Sequence, residues 1–384
     1  MTMKRILIFA AYFYPHLGGY AKVIYELSRR LVEKGYEIDV VTCNTEETPA
    51  EEEVDGIRIH RLPSWNILSG IYPIPKPTVT TFKILFQLSR KRIGLINTHS
   101  RFFPTSLLGL IFAKLKRKPL VHTEHGAPHA VLSNKLIGSV NKVYDHTIGS
   151  LIIKSAARSI GVSEAVCDFL RHLGAKNTIA IPNGIDADVF RKVETDLTKS
   201  LGLNGVIVIT FVGRLIYAKG VQDLISAFPM IKETAPNVKL LIIGDGPYRG
   251  DLESLAYQTD CGDDILFLGK KNQTEVIDIL SATDIFVNPS YSEGLAMSVM
   301  EAASIGLPIV ATNVGGTREI IANYETGILI KARDATQLKD KVCELVASAE
   351  LREKLAKNSR KSVKQRFNWD NITRDWIEVF EGIG

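Results

Sequence analysis

Short apolar runs alternate with amphipathic stretches from one end of the chain to the other. The first unit is an apolar run at residues 4 to 11, a helical pattern at 21 to 34 that Gly35 ends, and a second apolar run at 37 to 42. A strand, a helix and a strand in this order form a βαβ unit, which places both strands parallel in one sheet. The repetition of this pattern predicts an α/β protein built on parallel sheets.

The series of strands is interrupted once, by the turn-forming sequence I-P-N-G-I-D at residues 181 to 186. We therefore expect two parallel-sheet domains of similar size, residues 1 to 180 and residues 181 to 366. The last helix, within residues 367 to 384, has an apolar face that includes Trp369. Such a face predicts that this helix returns to pack on the first domain.

Three segments carry more local expectations. Residues 336 to 366 form one long helical pattern, so a single helix is predicted there. Residues 45 to 54 are acidic and polar, and residues 62 to 79 are rich in proline and aromatic side chains. Both are predicted to be loops. The second would cover an acceptor pocket or touch a membrane, and the alternative is a purely structural loop.

The composition is that of a globular protein, with 45% hydrophobic and 23% charged residues among 384. No apolar run reaches the roughly 18 residues of a membrane-spanning helix. The four cysteines show no C-x-x-C spacing, which argues against a disulfide or metal framework and for a reducing compartment. The start of the chain is predicted to be a first strand rather than a signal peptide. We expect a cytoplasmic protein, with possible peripheral contact at the inner face of the membrane.

The net charge of +5 is distributed unevenly. Residues 56 to 123 contain twelve Lys or Arg and no Asp or Glu. A block of one sign favours an anionic partner for this half of the chain. Nucleic acid is disfavoured because stacking aromatic residues are not interleaved with the basic ones. Anionic lipid or a phosphate-bearing acceptor fits better, and the alternative is a solvated surface with no partner.

Two glutamates lie eight residues apart in the segment from Pro289 to Ile320. Glu293 is followed by a turn that Gly294 opens, and residues 295 to 303 are predicted to form a helix that contains Glu301. The free N–H groups of a helix N-terminus attract phosphate, and carboxylates accept hydrogen bonds from sugar hydroxyls. This combination suits a nucleotide sugar. The alternative is an ordinary amphipathic helix with two solvated glutamates.

Further candidates follow the strands of the second domain. Gly213, Arg214 and Lys219 lie directly after its first strand, where a guanidinium and an ammonium can bind a diphosphate. Gly269 and Lys270 end a later strand, and backbone groups there can contact a base edge. The alternative for the two cations at 214 and 219 is a plain surface position.

In the first domain, Gly18 and Gly19 follow the first strand, where ligands bind in open α/β sheets. Adjacent glycines allow the backbone to approach a diphosphate, although such a pair is more often a plain turn. His125 and His99 each follow or end a strand of this domain. A histidine at such a place can hydrogen-bond a sugar hydroxyl or move a proton, and the alternative is a structural histidine.

Two motifs are considered and set aside. Asp186 and Asp188 form a D-x-D triplet, a pattern that can hold a divalent metal, but they follow a turn in which Asp commonly caps the chain. The sequence therefore predicts no metal site. The glycines at 244 and 246 have the wrong spacing for a dinucleotide-binding turn, so an NAD cofactor is not expected.

These motifs occur in a fixed order along the chain. They are G-G at 18 to 19, T-E-H-G at 123 to 126, I-P-N-G-I-D-x-x-x-F at 181 to 190, V-G-R-L-x-x-x-K-G at 212 to 220, G-D-G-P at 244 to 247, F-L-G at 267 to 269 and P-S-x-x-E-G-x-x-x-x-x-x-E-A-x-x-x-G-x-P-I-V-A-T at 289 to 312. Together they resemble the retaining glycosyltransferases of family 4, over nearly the whole chain. The resemblance implies the GT-B fold, in which two Rossmann-like domains face a cleft and the C-terminal helix crosses back to the first.

The resemblance also implies roles for the candidate residues. The implied catalytic residues are His125, Arg214, Lys219 and Glu293. The implied donor-binding residues are Gly18, Gly19, Gly213, Arg214, Lys219, Gly269, Lys270, Glu293, Gly294, Leu295, Ala296 and Glu301. The paired glycines would approach the diphosphate and the two cations would bind it. Glu293 would hold the hydroxyls of the donor sugar, and Glu301 would accept from the ribose.

The expected activity is transfer of a sugar from a nucleoside diphosphate sugar to a hydroxyl acceptor, with retention of configuration and without a metal or other cofactor. The donor would bind the second domain and the acceptor, such as a lipid or a phosphate-bearing glycan precursor, the first. Two alternatives stay open. One is an enzyme of the same fold that does not transfer, such as a nucleotide-sugar epimerase. The other is a non-catalytic nucleotide-sugar-binding module.

Overall fold

The computed structural model describes residues 5 to 16, 18 to 67, 72 to 126 and 135 to 383. The chain divides into two compact units. Unit 1 holds the described residues up to Gly126, then Ser139–Gly184, and again the chain from Trp369 onward. Unit 2 holds Ile185–Asn368 together with residues 135 to 138. The division between the units therefore falls between Gly184 and Ile185.

Unit 1 alternates strands and helices, as the apolar pattern predicts. Its elements before the division are β1 (Arg5–Phe9), α1 (Tyr20–Glu33), β2 (Glu37–Cys43), β3 (Glu51–Val54), β4 (Ile57–Leu62), β5 (Ser64–Ile67), β6 (Tyr72–Pro75), α2 (Val79–Ser89), β7 (Leu95–His99), α3 (Pro104–Lys116), β8 (Leu120–Glu124), α4 (Lys135–Tyr144), α5 (Ser150–Ser155), β9 (Arg158–Gly161), α6 (Glu164–His172) and β10 (Thr178–Ala180). A π-helical turn, Asp145–Gly149, joins α4 to α5.

Eight of the ten described strands of unit 1 form a sheet in the order β10-β9-β8-β7-β1-β2-β4-β3, and β5 and β6 pair with each other. Within the eight-stranded sheet, only the edge strand β3 is antiparallel to its neighbour. On the central strand β1, Ile6 and Leu7 point to opposite faces, and both are almost fully buried. Burial on both faces is expected of a parallel sheet with helices on each side, and it explains why these strands are continuous apolar runs in the sequence.

Unit 2 repeats the same construction with a smaller sheet. Its elements are α7 (Leu197–Ser200), β11 (Ile207–Val212), α8 (Val221–Thr234), β12 (Val238–Ile243), α9 (Arg249–Tyr257), β13 (Ile265–Gly269), α10 (Gln273–Ser281), β14 (Ile285–Asn288), α11 (Met297–Ile305), β15 (Ile309–Thr312), α12 (Thr317–Ile320), β16 (Ile328–Ile330), α13 (Ala335–Ala347) and α14 (Ala349–Arg366). The described strands form a parallel sheet in the order β13-β12-β11-β14-β15-β16.

The last helix, α15 (Trp369–Glu381), belongs to unit 1, which confirms that the C-terminal helix crosses back. It contacts α1 and buries Trp369, Trp376 and Phe380. The Arg30 guanidinium lies 4.6 Å from the centroid of the Trp369 ring. Gly184 is also required here, because a Cβ at this position would lie 2.4 Å from the same ring.

Three local predictions are wrong. The helix predicted over 336 to 366 is broken at Ser348, whose side chain accepts a hydrogen bond from the Leu351 N–H and so caps α14 as a separate helix. The acidic loop at 45 to 54 ends in strand β3, which pairs with β4. The proline-rich loop contains the antiparallel hairpin β5–β6, and the Tyr72 hydroxyl donates to the Phe102 carbonyl.

Within the described parts of the chain, no helix has both the length and the apolar character needed to cross a membrane.

Candidate functional site

The sheet of unit 2 has a topological switch point between β11 and β14. From β11 the chain proceeds outward to β12 and β13, and it then returns to β14 and proceeds outward the other way to β16. The loops after β11 and β14 therefore leave the sheet in opposite directions and open a crevice at the carboxyl ends of these strands. Ligands of open α/β sheets bind in crevices of this kind.

Lys219 and Glu293 meet at this switch point, one from each loop. The Lys219 Nζ atom lies 2.7 Å from Oε1 of Glu293. The same oxygen lies 2.6 Å from the Ser290 hydroxyl. The other oxygen, Oε2, accepts no hydrogen bond from any described residue, and one N–H of the lysine is enough for the ion pair. A hydroxyl donor and an anion can therefore be bound side by side.

Two glycines allow the loops to come this close. Gly220 has a φ of +66°, and a Cβ there would lie 2.0 Å from the Pro289 carbonyl oxygen. Gly315 has a φ of +50°, and a Cβ there would lie 1.7 Å from the Glu293 carbonyl oxygen. Any side chain at either position would push the Glu293 loop away from its neighbours. The Tyr291 N–H donates to the Ala218 carbonyl, which holds the two loops together.

The remaining predicted residues of this unit differ in their exposure and in their distance along the sheet from the Lys219–Glu293 pair. Arg214 lies on the β11 loop, is exposed, and makes no ion pair within the described residues. Gly213 directly follows the same strand, and a Cβ at Gly244 would lie 1.8 Å from the Gly213 carbonyl oxygen. Gly269 and Lys270 lie at the end of β13, the far edge strand, two strands away from β11. The sheet order thus places them furthest from Glu293 among the predicted donor residues of unit 2.

Helix α11 begins later than predicted, at Met297 rather than Leu295. Leu295 and Ala296 are buried, and Ala296 is the N-cap residue, so no side chain caps the first turn. Gly294 is tied to the next loop, since its carbonyl accepts from the Gly316 N–H. Glu301 is half-buried in the second turn of the helix. The uncapped N–H groups of α11 therefore directly follow the Glu293 loop.

Sequence reasoning missed an aromatic cluster beside the Glu293 loop. The Arg333 guanidinium lies 3.9 Å from the Tyr291 ring centroid and donates to the Tyr217 hydroxyl at 3.0 Å. The Tyr291 hydroxyl donates to Asp223 and accepts from Gln222. These five side chains come from four separate segments. No local motif connects them, so only the folded chain shows that they support the loop.

The switch point of unit 1 lies between β1 and β7, and the polar residues near it form a histidine pair. Nδ1 of His99 and Nε2 of His125 are 2.8 Å apart, and the Tyr20 ring stacks on His125 at 5.2 Å. His99 is fully buried, and His125 is half-buried beside it. Burial lowers the pKa of His125 to about 4, and burial together with the neighbouring histidines also lowers the pKa of His99. Both rings are therefore neutral at pH 7.

A buried charge network lies directly under His125. The Arg101 guanidinium binds Glu124 at 2.9 Å and Asp145 at 2.8 Å, and all three residues are almost completely buried. Oε1 of Glu124 accepts hydrogen bonds from the His125 and Gly126 N–H groups. Burial would raise the pKa of Glu124, but Arg101 and His122 outweigh it and hold this pKa below its usual range. The carboxylate thus fixes the backbone that carries His125.

The other candidates have local explanations. Gly18 and Gly19 are exposed, and Gly19 has a φ of +53° directly before α1, a conformation suited to glycine. The Asp186 carboxylate accepts from the Asp188 and Val189 N–H groups, and Asp188 pairs with Lys364. Within the described residues, no group of three or more His, Cys, Asp or Glu side chains is placed to hold a metal ion.

Comparison with known families identifies the chain. The family described as "Glycosyltransferase Family 4" matches residues 17 to 189, and "Glycosyl transferases group 1" matches residues 193 to 362. The two matches adjoin, and together they span most of both units. The chain belongs to glycosyltransferase family 4.

Two curated relatives of this glycosyltransferase illustrate the range of the family. An uncharacterized glycosyltransferase of Methanocaldococcus jannaschii is 29% identical over 99% of both chains. The gpi3 subunit of the phosphatidylinositol N-acetylglucosaminyltransferase of Schizosaccharomyces pombe is 25% identical over 97% of this chain and 79% of the relative. The chain is therefore an enzyme of the glycosyltransferase class, as the motifs predicted.

The fold of the glycosyltransferase also occurs among solved structures. Sucrose-phosphate synthase from Thermosynechococcus elongatus matches with a TM-score of 0.85, at 24% identity and over 99% of both chains. The expected GT-B fold of two parallel-sheet domains with a returning C-terminal helix is confirmed.

Proposed function

We propose that this glycosyltransferase takes a sugar from a nucleoside diphosphate sugar and transfers it to a hydroxyl acceptor with retention of anomeric configuration. The observation that carries the proposal is the pairing of Lys219 with Glu293 at the switch point of unit 2. This pair sets a cation for a diphosphate next to a carboxylate oxygen for a sugar hydroxyl. The proposal assigns the donor to unit 2 and the acceptor to unit 1.

The chemistry of the leaving group explains the choice of residues. When the bond between the sugar C1 and the diphosphate oxygen breaks, negative charge develops on the diphosphate. Lys219 and the exposed Arg214 would neutralise this charge, and the uncapped N–H groups of α11 would add hydrogen bonds. These groups take the place that a metal ion has in other enzymes. We therefore propose that transfer needs no metal, and full activity in EDTA would support this.

The same arrangement supports the proposal of retention. Glu293 already shares Oε1 with Lys219 and Ser290, so its free oxygen suits hydroxyl binding better than removal of the acceptor proton. In the proposed reaction the acceptor oxygen bonds to C1 on the face that the diphosphate leaves, and its proton passes to the leaving phosphate oxygen. His125, neutral at pH 7, would contact the transferred sugar. Nuclear magnetic resonance of the product anomer tests retention directly.

The donor and acceptor classes are proposals that rest on different observations. Glu301 would contact the ribose of the nucleotide. The Schizosaccharomyces pombe relative is named for N-acetylglucosamine and phosphatidylinositol, so UDP-N-acetylglucosamine is the first donor to test and a lipid-linked hydroxyl the first acceptor. Phosphate-bearing glycan precursors are the second class of acceptor.

The test begins with thermal shift against UDP-, GDP- and ADP-sugars, since a bound donor raises the melting temperature. Transfer is then measured with the stabilising donor for the wild type and for Glu293→Gln, which keeps the size of the side chain and removes its charge. We expect the variant to lose transfer by about 10²- to 10³-fold while its unfolding is nearly unchanged. Near-normal transfer by Glu293→Gln would refute the site. Isomerised donor formed without any acceptor would indicate an epimerase instead.

A further inference from the structure

Large apolar side chains are exposed along one helical layer of unit 1. Helices α2, α3 and α5 pack on the same face of the sheet, where Ile84, Leu110 and Ile152 share one apolar cluster with Leu7 and Phe9 of β1. The outer faces of these helices therefore lie on the same side of the unit. They carry most of the large apolar residues that the described helices expose.

Helix α2 shows this most clearly. Val79, Phe82 and Phe86 are 85%, 61% and 57% exposed, whereas Ile84 and Leu88 on the opposite face are buried. The spacing of three and four residues places the three exposed side chains in one stripe along the helix. A stripe of two phenylalanines and a valine facing water is unfavourable unless something covers it.

Helix α3 continues the same surface. Ile111 and Leu115 are exposed, and Leu115 is 77% exposed although the helix has ample buried contacts on its other face. Leu151 of α5 is exposed as well. By contrast, within the described residues α1, α6 and α15, which lie in unit 1 too, expose no large apolar side chain. Elsewhere in unit 1 large apolar side chains are exposed at Trp65, Ile67, Val143 and Ile179, whereas α2, α3 and α5 together expose six on one helical layer.

The same layer carries the unpaired part of the basic block. Lys83 and Lys114 are exposed and make no ion pair within the described residues, and the Arg90 guanidinium lies over the Phe86 ring at 4.4 Å. Helices α2, α3 and α5 contain no Asp or Glu.

Other basic residues of the block are neutralised by ion pairs away from this surface. Arg61 and Lys91 pair with Glu52 and Asp39, and Arg101 is buried in its own network. The charge predicted to attract an anionic partner is thus concentrated where the apolar side chains are exposed.

We propose that this surface docks on a membrane leaflet that contains anionic lipid. The α2–α3 face is defined by Val79, Phe82, Lys83, Phe86, Arg90, Ile111, Lys114 and Leu115. Aromatic and aliphatic side chains ringed by lysine and arginine suit the boundary between headgroups and acyl chains. A second copy of the chain fits less well, because two such faces would bring their unpaired cations together. The surface lies in unit 1 and shares no residue with the Lys219–Glu293 pair.

The experiment is co-sedimentation of the full chain with vesicles of phosphatidylcholine alone and of phosphatidylcholine mixed with phosphatidylglycerol. We expect binding to the mixed vesicles only. Phe82→Ser/Phe86→Ser should weaken it by at least about tenfold, since it removes most of the apolar stripe. Lys83→Gln/Lys114→Gln should weaken it by about fivefold per charge at low salt. Tyr257→Ser, which removes an 89% exposed aromatic residue of unit 2, is the matched control and should bind normally.

Three outcomes would overturn the proposal. They are failure of the wild type to bind anionic vesicles, equal binding by Phe82→Ser/Phe86→Ser, and a dimer that this variant abolishes while vesicles are not bound. An unchanged melting temperature of the variant would exclude misfolding as the cause of lost sedimentation. The assay contains no sugar nucleotide, so its result is independent of the proposed transfer reaction.

Discussion

The two units are built alike but use their switch points differently. In unit 2 the polar pair at the switch point is Lys219 and Glu293, and the lysine side chain is partly exposed. In unit 1 the corresponding region holds the buried His99 and the half-buried His125, together with a buried ion network centred on Arg101. The charged pair at the switch point of unit 2 can therefore meet a ligand, whereas Arg101, Glu124 and Asp145 of unit 1 pair with one another in the interior.

This difference separates residues that can bind a ligand from residues that stabilise the fold. A partly exposed ion pair keeps free donors and acceptors for a ligand, and losing one partner costs the fold little. A buried network has every group engaged, so losing one partner leaves an uncompensated charge in the interior. We therefore expect substitutions in unit 2 to affect turnover first and substitutions in unit 1 to affect stability first.

The largest expected effect tests the buried network. Arg101→Met leaves Glu124 and Asp145 buried without their cation, so the free energy of unfolding should fall by about 3 to 5 kcal/mol. Urea denaturation measures this. Lys364→Met is the control, because its ion pair with Asp188 is exposed and should contribute about 0 to 1 kcal/mol. A loss below 1 kcal/mol for Arg101→Met would remove the contrast between the units.

The next effect tests the Lys219–Glu293 pair, in which the lysine is partly exposed and the glutamate is buried. Lys219→Met should lower the transfer rate by about 10²- to 10³-fold, because the developing diphosphate charge loses its cation. Its urea midpoint should change far less than that of Arg101→Met. Lys271→Met removes another lysine of unit 2, which pairs with Glu275 on the surface, and should leave the rate unchanged. A drop in stability as large as that of Arg101→Met would make the pair structural.

The pH dependence of stability tests the neutral histidine pair. The pKa of His125 is about 4 in the folded chain and about 6.5 when unfolded, so between these values the unfolded state binds more protons. Stability should therefore fall as the pH decreases from 6.5 to 4, by about 2 to 3 kcal/mol from this residue. His125→Asn should make the midpoint of urea denaturation depend less on pH between 6.5 and 4. His172→Asn, at an exposed position, should not; equal slopes for all three proteins would contradict the assignment.

The smallest effect concerns the aromatic support of the Glu293 loop. Arg333→Gln removes an exposed cation from the Tyr291 ring, which should cost about 0.5 to 1 kcal/mol. Because Tyr291 precedes Glu293 by two residues, the KM for the donor should rise severalfold with little change in kcat. Arg249→Gln, in surface ion pairs of the same unit, is the control. A fall in kcat with an unchanged KM would argue against a positioning role.

The candidate residues of unit 2 were accessible to sequence reasoning because each lies next to its strand. Gly213, Lys219 and Glu293 follow strands whose apolar runs are unmistakable, and parallel strands bring their carboxyl ends to one edge. The Arg333 cluster was not accessible, because it depends on contacts between segments that are far apart in the sequence. The break at Ser348 is a local N-cap, in which Ser348 accepts from the Leu351 N–H, and the helical periodicity on both sides concealed it.

The basic block also shows what the sequence alone does not predict. The sequence alone established that residues 56 to 123 carry twelve cations and no anion, and the motifs placed the chain in its family. Only the tertiary structure decided which cations are neutralised, because Asp39, Glu52 and Asp145 that pair with them come from outside the block. Local pattern determines the elements and the motif residues. Which charges are neutralised and which side chains stay exposed depends on long-range packing, and a linear pattern does not contain it.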